Sequence, residues 1–139
     1  MPNTILASLE DVDTCVATVA PRLLCNDYFC LWLNGDIGVG KTYWVNRFLH
    51  HLGLTDDVVV NSPTYIHARE YRIAADIYNH ADLYRLANTA EFLALNIDHS
   101  RYRGEIYEWA SPANCCVAPT HRLNIEFNDS PDKRKYVFI

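Results

Sequence analysis

Gly35-Asp36-Ile37-Gly38-Val39-Gly40-Lys41-Thr42 is a complete G-x-x-x-x-G-K-[ST] phosphate-binding loop. Its glycines let the backbone curl so that the N–H groups of Gly38, Val39, Gly40 and the following residues point inward at a polyphosphate. Lys41 supplies a cation for the β- and γ-phosphates, and Thr42 offers a hydroxyl to Mg²⁺. The flanks agree with the loop. Tyr28 to Leu33 is a short apolar, aromatic-rich run, as expected of a buried strand. After the loop, Trp44, Val45, Phe48, Leu49 and Leu52 fall at helical spacing before Gly53. Strand, loop and helix in this order aim a helix N-terminus at phosphate.

Chance does not explain the match. Three of the five glycines lie inside the loop, and a random match in a chain this poor in glycine and lysine has odds of roughly a few in ten thousand. The sequence therefore reads as that of a nucleoside triphosphate binder.

Composition sets the bounds on the rest. The 139 residues suffice for one domain, expected to span 1–139, with one good core. Half are apolar and 21% are charged, an ordinary globular balance. No run approaches the length of a membrane span, and no basic segment leads into an apolar one at the N-terminus. Cys15, Cys25, Cys30, Cys115 and Cys116 form no C-x-x-C pair, so reduced thiols in the cytoplasm are expected. The net charge of −5 argues against a domain that grips nucleic acid by itself. If an RNA is the ultimate substrate, a partner is expected to hold it.

Outward from the loop, the pattern alternates strands and helices. Within residues 4–24, Val12, Cys15, Val16 and Val19 mark an amphipathic helix, with Ser8 as a candidate cap and Pro21 expected to end or kink it. Val58 to Val60, Tyr65 to Ile73, Ile77 to Ala81 and Glu105 to Trp109 read as strands. Asn88-Thr89-Ala90-Glu91 has the form of a capping box opening a helix through Leu95, with Asn96 where a left-handed residue is wanted. Leu123 to Phe127 and Lys135 to Ile139 are two late, antiparallel-looking strands joined by a turn-rich stretch. The expected class is α/β: a mixed parallel and antiparallel sheet flanked by helices, of the phosphate-loop nucleoside-triphosphatase kind.

A phosphate loop serves many chemistries, so other residues must decide the function. A magnesium-dependent hydrolase needs a carboxylate for the ion and a group that positions the attacking water. Asp82 and Glu108 each close a strand-like stretch, where acids meet a ligand in the crevice beyond the sheet.

With these elements in place, the chain resembles the TsaE family, also called YjeE. The resemblance is co-linear over nearly the whole chain. It rests on the loop, then Ser62-Pro63-Thr64-Tyr65, then His80-Ala81-Asp82-Leu83-Tyr84-Arg85-Leu86, then Glu108-Trp109. The resemblance implies an ATPase of tRNA threonylcarbamoyladenosine synthesis that binds ATP and Mg²⁺ and works with a TsaB–TsaD pair, meeting tRNA only through that complex. Carried over by position, Lys41 and the loop residues through Tyr43 would bind ATP. Thr42, Asp82 and Glu108 would surround the metal, with Glu108 also orienting the lytic water. Ser62 and Thr64 would sense the γ-phosphate, Asp11 and Thr14 would lie near the base, and Arg134 would lie near the phosphates or ribose. Trp109 would either stack on a ligand or partner or close the core at a strand end. Arg85 would bridge Asp82 or a phosphate.

Some positions depart from the family pattern. Tyr43 stands where a second threonine is usual, which leaves its backbone N–H for the α-phosphate but removes a hydroxyl. Ala81 replaces an aromatic, and Asn96 replaces a glycine at a place needing positive φ. Two other functions compete. A small-molecule kinase would need an arginine-bearing lid, for which Arg101 and Arg103 beside Gly104 are the nearest candidate. A nucleotide-gated scaffold would use the same residues without turnover. A GTPase is disfavoured by the lack of an N-K-x-D element.

Overall fold

Burial on both faces makes Phe29–Asn34 a central strand. Phe29, Leu31 and Leu33 point into one apolar layer, while Cys30 and Trp32 point into the other. The computed structural model describes residues 3–8, 11–65 and 67–139, with residues 3–8 described by their backbone. The elements are β1 (Asn3–Ser8), α1 (Val12–Leu24), β2 (Phe29–Asn34), α2 (Lys41–His51), β3 (Ala68–Ile73), β4 (Asp76–Asp82), α3 (Thr89–Ala94), β5 (Gly104–Glu108), β6 (His121–Phe127) and β7 (Lys133–Phe138). They build a seven-stranded sheet of order β1-β7-β6-β2-β5-β4-β3. The four middle strands β6, β2, β5 and β4 run parallel, whereas β7, β1 and β3 join antiparallel at the flanks. This is the expected mixed sheet.

Helices α1 and α2 cover one face. Val12, Cys15, Val16, Val19 and Leu23 of α1 and Trp44, Val45, Phe48 and Leu49 of α2 close over Phe29, Leu31, Leu33 and Ile106. Arg47 of α2 reaches Asp13 of α1 through two hydrogen bonds of 2.7 and 3.0 Å, fastening the helices at their exposed edge. Phe92 of α3 and Cys115 cover the opposite face over Cys30, Trp32, Ala81, Leu83 and Tyr107. That face also holds a charge: the Glu105 carboxylate, 0% exposed, accepts from Tyr28 (2.6 Å), Tyr107 (2.7 Å) and Asn79 (3.1 Å). Those hydrogen bonds compensate its loss of water. No helix among the described residues is long and apolar enough to cross a membrane.

Several local expectations are corrected by tertiary pairing. Residues 3–8 form a strand on β7, so α1 begins at Val12 with Asp11 in the N-cap position, past Ser8. Pro21 does not end α1, which runs to Leu24. The carbonyl that loses its partner to the proline ring belongs to Ala17, on the exposed side, where water can serve it, while Leu23 stays in the core. Val58 to Val60 is not a strand, because it has no ladder partner among the described residues; Val60 is buried as an anchor and Val59 is 66% exposed. The strand expected from Tyr65 starts at Ala68, after a turn containing Tyr65. β5 stops at Glu108, and Trp109 leaves the sheet with φ +60°. The capping box is present: the Asn88 side chain accepts from the Glu91 N–H at 3.0 Å, and the Glu91 carboxylate accepts from the Ala87 N–H at 2.7 Å. Asn96 follows at φ +55°, as its position required.

Candidate functional site

The parallel strands β2, β5 and β4 end side by side, so whatever follows them converges on one crevice. The loop follows β2, with Gly38 at φ +76° and Gly40 at φ +112°, conformations that L side chains rarely adopt. Gly35 is needed for a different reason: an added Cβ would lie 2.6 Å from the Ile125 carbonyl oxygen. The backbone thus enters α2 with its first N–H groups unpaired within the helix and the positive end of the helix dipole at the crevice.

Ile37, Gly38, Gly40, Lys41, Thr42, Tyr43, Ser62, Thr64, Asp82, Tyr84, Arg85, Glu108 and Trp109 surround a cavity of about 390 Å³. Lys41 is 6% exposed, and its Nζ donates to the carbonyls of Gly35 (2.6 Å) and Asp36 (3.0 Å) beneath the loop. The same ammonium lies 4.2 Å from the centre of the Trp109 ring. Burial lowers the Lys41 pKa below the usual lysine range, opposed by the charges of Glu108, Asp82 and Asp36. Asp82 Oδ2 accepts from Ser62 Oγ (2.8 Å) and Thr64 Oγ1 (2.9 Å), while its Oδ1 accepts from the Tyr84 N–H (2.9 Å). Glu108 Oε2 accepts from Thr42 Oγ1 at 3.2 Å and meets His80 Nε2 in a short hydrogen bond.

The chemistry of this donor set suits a magnesium nucleotide. Two carboxylates, 3% and 2% exposed, face one ammonium and a helix N-terminus, so the cavity holds separate places for anion and cation. Among the described residues no cluster of three or more His, Cys, Asp or Glu could hold a metal.

Two residues expected near the ligand are not in the lining of this cavity. Arg134 does not line the cavity. Its Nε donates to the Val39 carbonyl at 3.0 Å and its Nη1 to Pro131 and Lys133 carbonyls, making it a buried strut behind the loop. Asp11 stands exposed at the start of α1, outside the cavity lining. Val39 is buried, with its backbone in the loop. Arg85 reaches the cavity and lies over the Tyr65 ring at 4.5 Å rather than on Asp82. Trp109 is half-buried, packs edge-on against Tyr84 at 5.1 Å and takes part in the cavity wall.

Sequence reasoning missed His80 and Asn114. Asn114 Nδ2 donates to the Leu83 (3.3 Å) and Trp109 (3.1 Å) carbonyls, tying together the chain segments that follow both acids. Its only local signal was a place in a Ser-Pro-Ala-Asn turn. His80 sat inside a motif quoted for its aspartate.

The family model for the threonylcarbamoyl adenosine biosynthesis protein TsaE matches residues 6–136. The tRNA threonylcarbamoyladenosine biosynthesis protein TsaE of Haemophilus influenzae is 42% identical over 81 residues, covering 58% of this chain and 50% of that protein. The Bacillus subtilis protein of the same name is 36% identical over 110 residues, 77% of this chain and 66% of its own length. The chain thus spans about half to two thirds of the length of these two relatives. The Aquifex aeolicus TsaE protein is 30% identical over 138 residues, 97% of this chain and 93% of that protein. The crystal structure of Bacillus subtilis YdiB matches 99% of this chain and 86% of its own with a TM-score of 0.62 at 23% identity, a likeness of fold. Matched along almost all of its length by the family model, this chain belongs to the TsaE family.

Proposed function

We propose that this chain hydrolyses ATP to ADP and phosphate in a Mg²⁺-dependent reaction, in support of a TsaB–TsaD pair that places threonylcarbamoyl on the tRNA adenosine beside the anticodon. One observation carries the chemistry: Lys41, Thr42, Asp82 and Glu108 come from three neighbouring parallel strand ends and line a single cavity at a helix N-terminus.

The division of labour follows from position. The loop N–H groups and Lys41 bind the phosphates, with the ammonium exchanging the Gly35 and Asp36 carbonyls for phosphate oxygens. Thr42, Asp82 and Glu108 would hold Mg²⁺, directly or through water, and the ion would neutralise charge on the phosphates. Glu108 is the group suited to orient the attacking water. Ser62 and Thr64 already touch Asp82, so a change at the phosphate end can reach their loop through that carboxylate.

The partner half of the proposal has its own support. Ile37 (79% exposed), Tyr84 (61%) and Tyr43 (43%) stand at the mouth of the cavity, and such exposed apolar side chains suit a docked protein. The decisive assay incubates the chain with Mg-ATP, alone and with the TsaB–TsaD pair. Free phosphate identifies a hydrolase, a phosphorylated metabolite would mean a kinase, and no product would mean a nucleotide-gated scaffold.

A further inference from the structure

His80 is unexplained by binding or hydrolysis as described so far. It is 1% exposed on β4, two residues before Asp82 and on the same face of the strand. Its Nε2 is hydrogen-bonded to Glu108 Oε2, while its Nδ1 is buried and has no partner among the described residues. A residue present for packing alone would be apolar, since an unpaired buried nitrogen is unfavourable. An imidazole here makes one hydrogen bond among the described residues, to Glu108.

We propose that His80 is the positioning residue for Glu108, holding one carboxylate oxygen so that the other is presented to the cavity; this rests on the reading of Glu108 given above. An ionised carboxylate only accepts, so in this bond Nε2 is the donor and Glu108 Oε2 the acceptor. Glutamate has a long, rotatable side chain, and the Lys41 ammonium is an attracting charge nearby. Without a second anchor the carboxylate would be free to collapse onto that ammonium and block the phosphate subsite. In the structure Lys41 instead bonds the Gly35 and Asp36 carbonyls, and Glu108 bonds His80 and Thr42. The register fixes the reach: His80 is opposite Ile106 and Asp82 is opposite Glu108, so the imidazole approaches the carboxylate from the row beneath.

The test uses the full chain. In the nucleotide-free, metal-free protein, nitrogen NMR of the imidazole should show His80 protonated at Nε2, with a hydrogen-bonded Nε2–H signal that disappears in Glu108→Ala. A signal from the Nδ1-protonated form would overturn the proposal. In steady-state hydrolysis, His80→Leu removes the donor and should lower kcat by at least about tenfold with KM within about threefold. His80→Gln keeps an N–H donor and should recover kcat to within about threefold of the wild type. Equal loss in both folded variants, or no loss in His80→Leu, would overturn it. If His80→Leu fails to fold, His80→Gln and the NMR signal still decide. Undiminished turnover in Glu108→Gln would sink the reading of Glu108 and the proposal with it, whereas a fall there with none in His80→Leu sinks the proposal alone.

Discussion

Asp82 and Glu108 stand directly opposite one another in the register of the parallel strands β4 and β5, both buried at the same sheet end. Two like charges so placed repel unless each has its own partners or a cation lies near them. Here their partners differ: Ser62, Thr64 and the Tyr84 N–H for Asp82, and His80 and Thr42 for Glu108. The arrangement keeps two separate carboxylates available to one ion.

Exchanging either acid for its amide should therefore separate chemistry from binding. Asp82→Asn and Glu108→Gln keep shape and remove charge. Phosphate release should fall by about a hundredfold in each, as should hydrolysis by the wild type after chelation of Mg²⁺. Calorimetry should still detect bound ATP. Normal turnover in one variant removes that residue from the proposed metal site.

Lys41→Ala should weaken ATP binding by at least about tenfold, equivalent to about 1.4 kcal/mol. The ammonium already lies against the loop, so its loss removes a preorganised charge. Wild-type affinity in this variant would place the nucleotide elsewhere.

The isolated chain should turn over slowly. Arg134 donates to the Val39 carbonyl behind the loop and Arg85 lies over the Tyr65 ring, and slow turnover of the chain alone would show that neither completes the site in cis. Charge supplied by a partner accelerates phosphoryl transfer by roughly 10³ to 10⁵. Adding the TsaB–TsaD pair should raise phosphate release; a fast rate indifferent to the pair would show a self-sufficient enzyme.

Gly35→Ala should damage both the fold and the site. The added methyl would meet the Ile125 carbonyl oxygen at 2.6 Å and Val39 Cγ1 at 2.7 Å, and backbone must move to admit it. A loss of about 1–3 kcal/mol in urea unfolding is expected, together with weakened ATP binding.

A pH-dependent contribution comes from the exposed Arg47–Asp13 pair. Hydrogen bonding to Arg47 lowers the Asp13 pKa below its usual 3.8. A depressed acid stabilises the fold above its unfolded pKa and loses that contribution as pH falls through the folded one. Solvent screens the pair, so Asp13→Asn should cost no more than about 1 kcal/mol at neutral pH and low salt, and less in high salt. Once the pH lies below the lowered folded pKa of Asp13, the variant and wild type should unfold at the same urea concentration.

The sequence by itself determined what local backbone chemistry dictates. Gly38 and Gly40 suit positive φ values that L side chains rarely adopt, and Lys41 adds the charge that phosphate needs, so together they specify a phosphate loop. Asn88 and Glu91 specify a helix start, and Asn96 its end, within one turn of chain. The unbroken apolar run around Leu31 and the period-3.6 apolar pattern around Phe48 likewise placed the central strand and the loop helix. The acids Asp82 and Glu108 were legible as candidates because a phosphate loop implies a metal. Only the tertiary structure decided which groups those acids meet. Residues 3–8 became a strand because β7 offered an edge, and Val58 to Val60 did not because it has no ladder partner among the described residues. Arg134 met the Val39 carbonyl, 95 residues away in sequence, and His80 on β4 met Glu108 on the neighbouring β5. Such choices depend on strand order and register, which bring together residues that no local spacing relates.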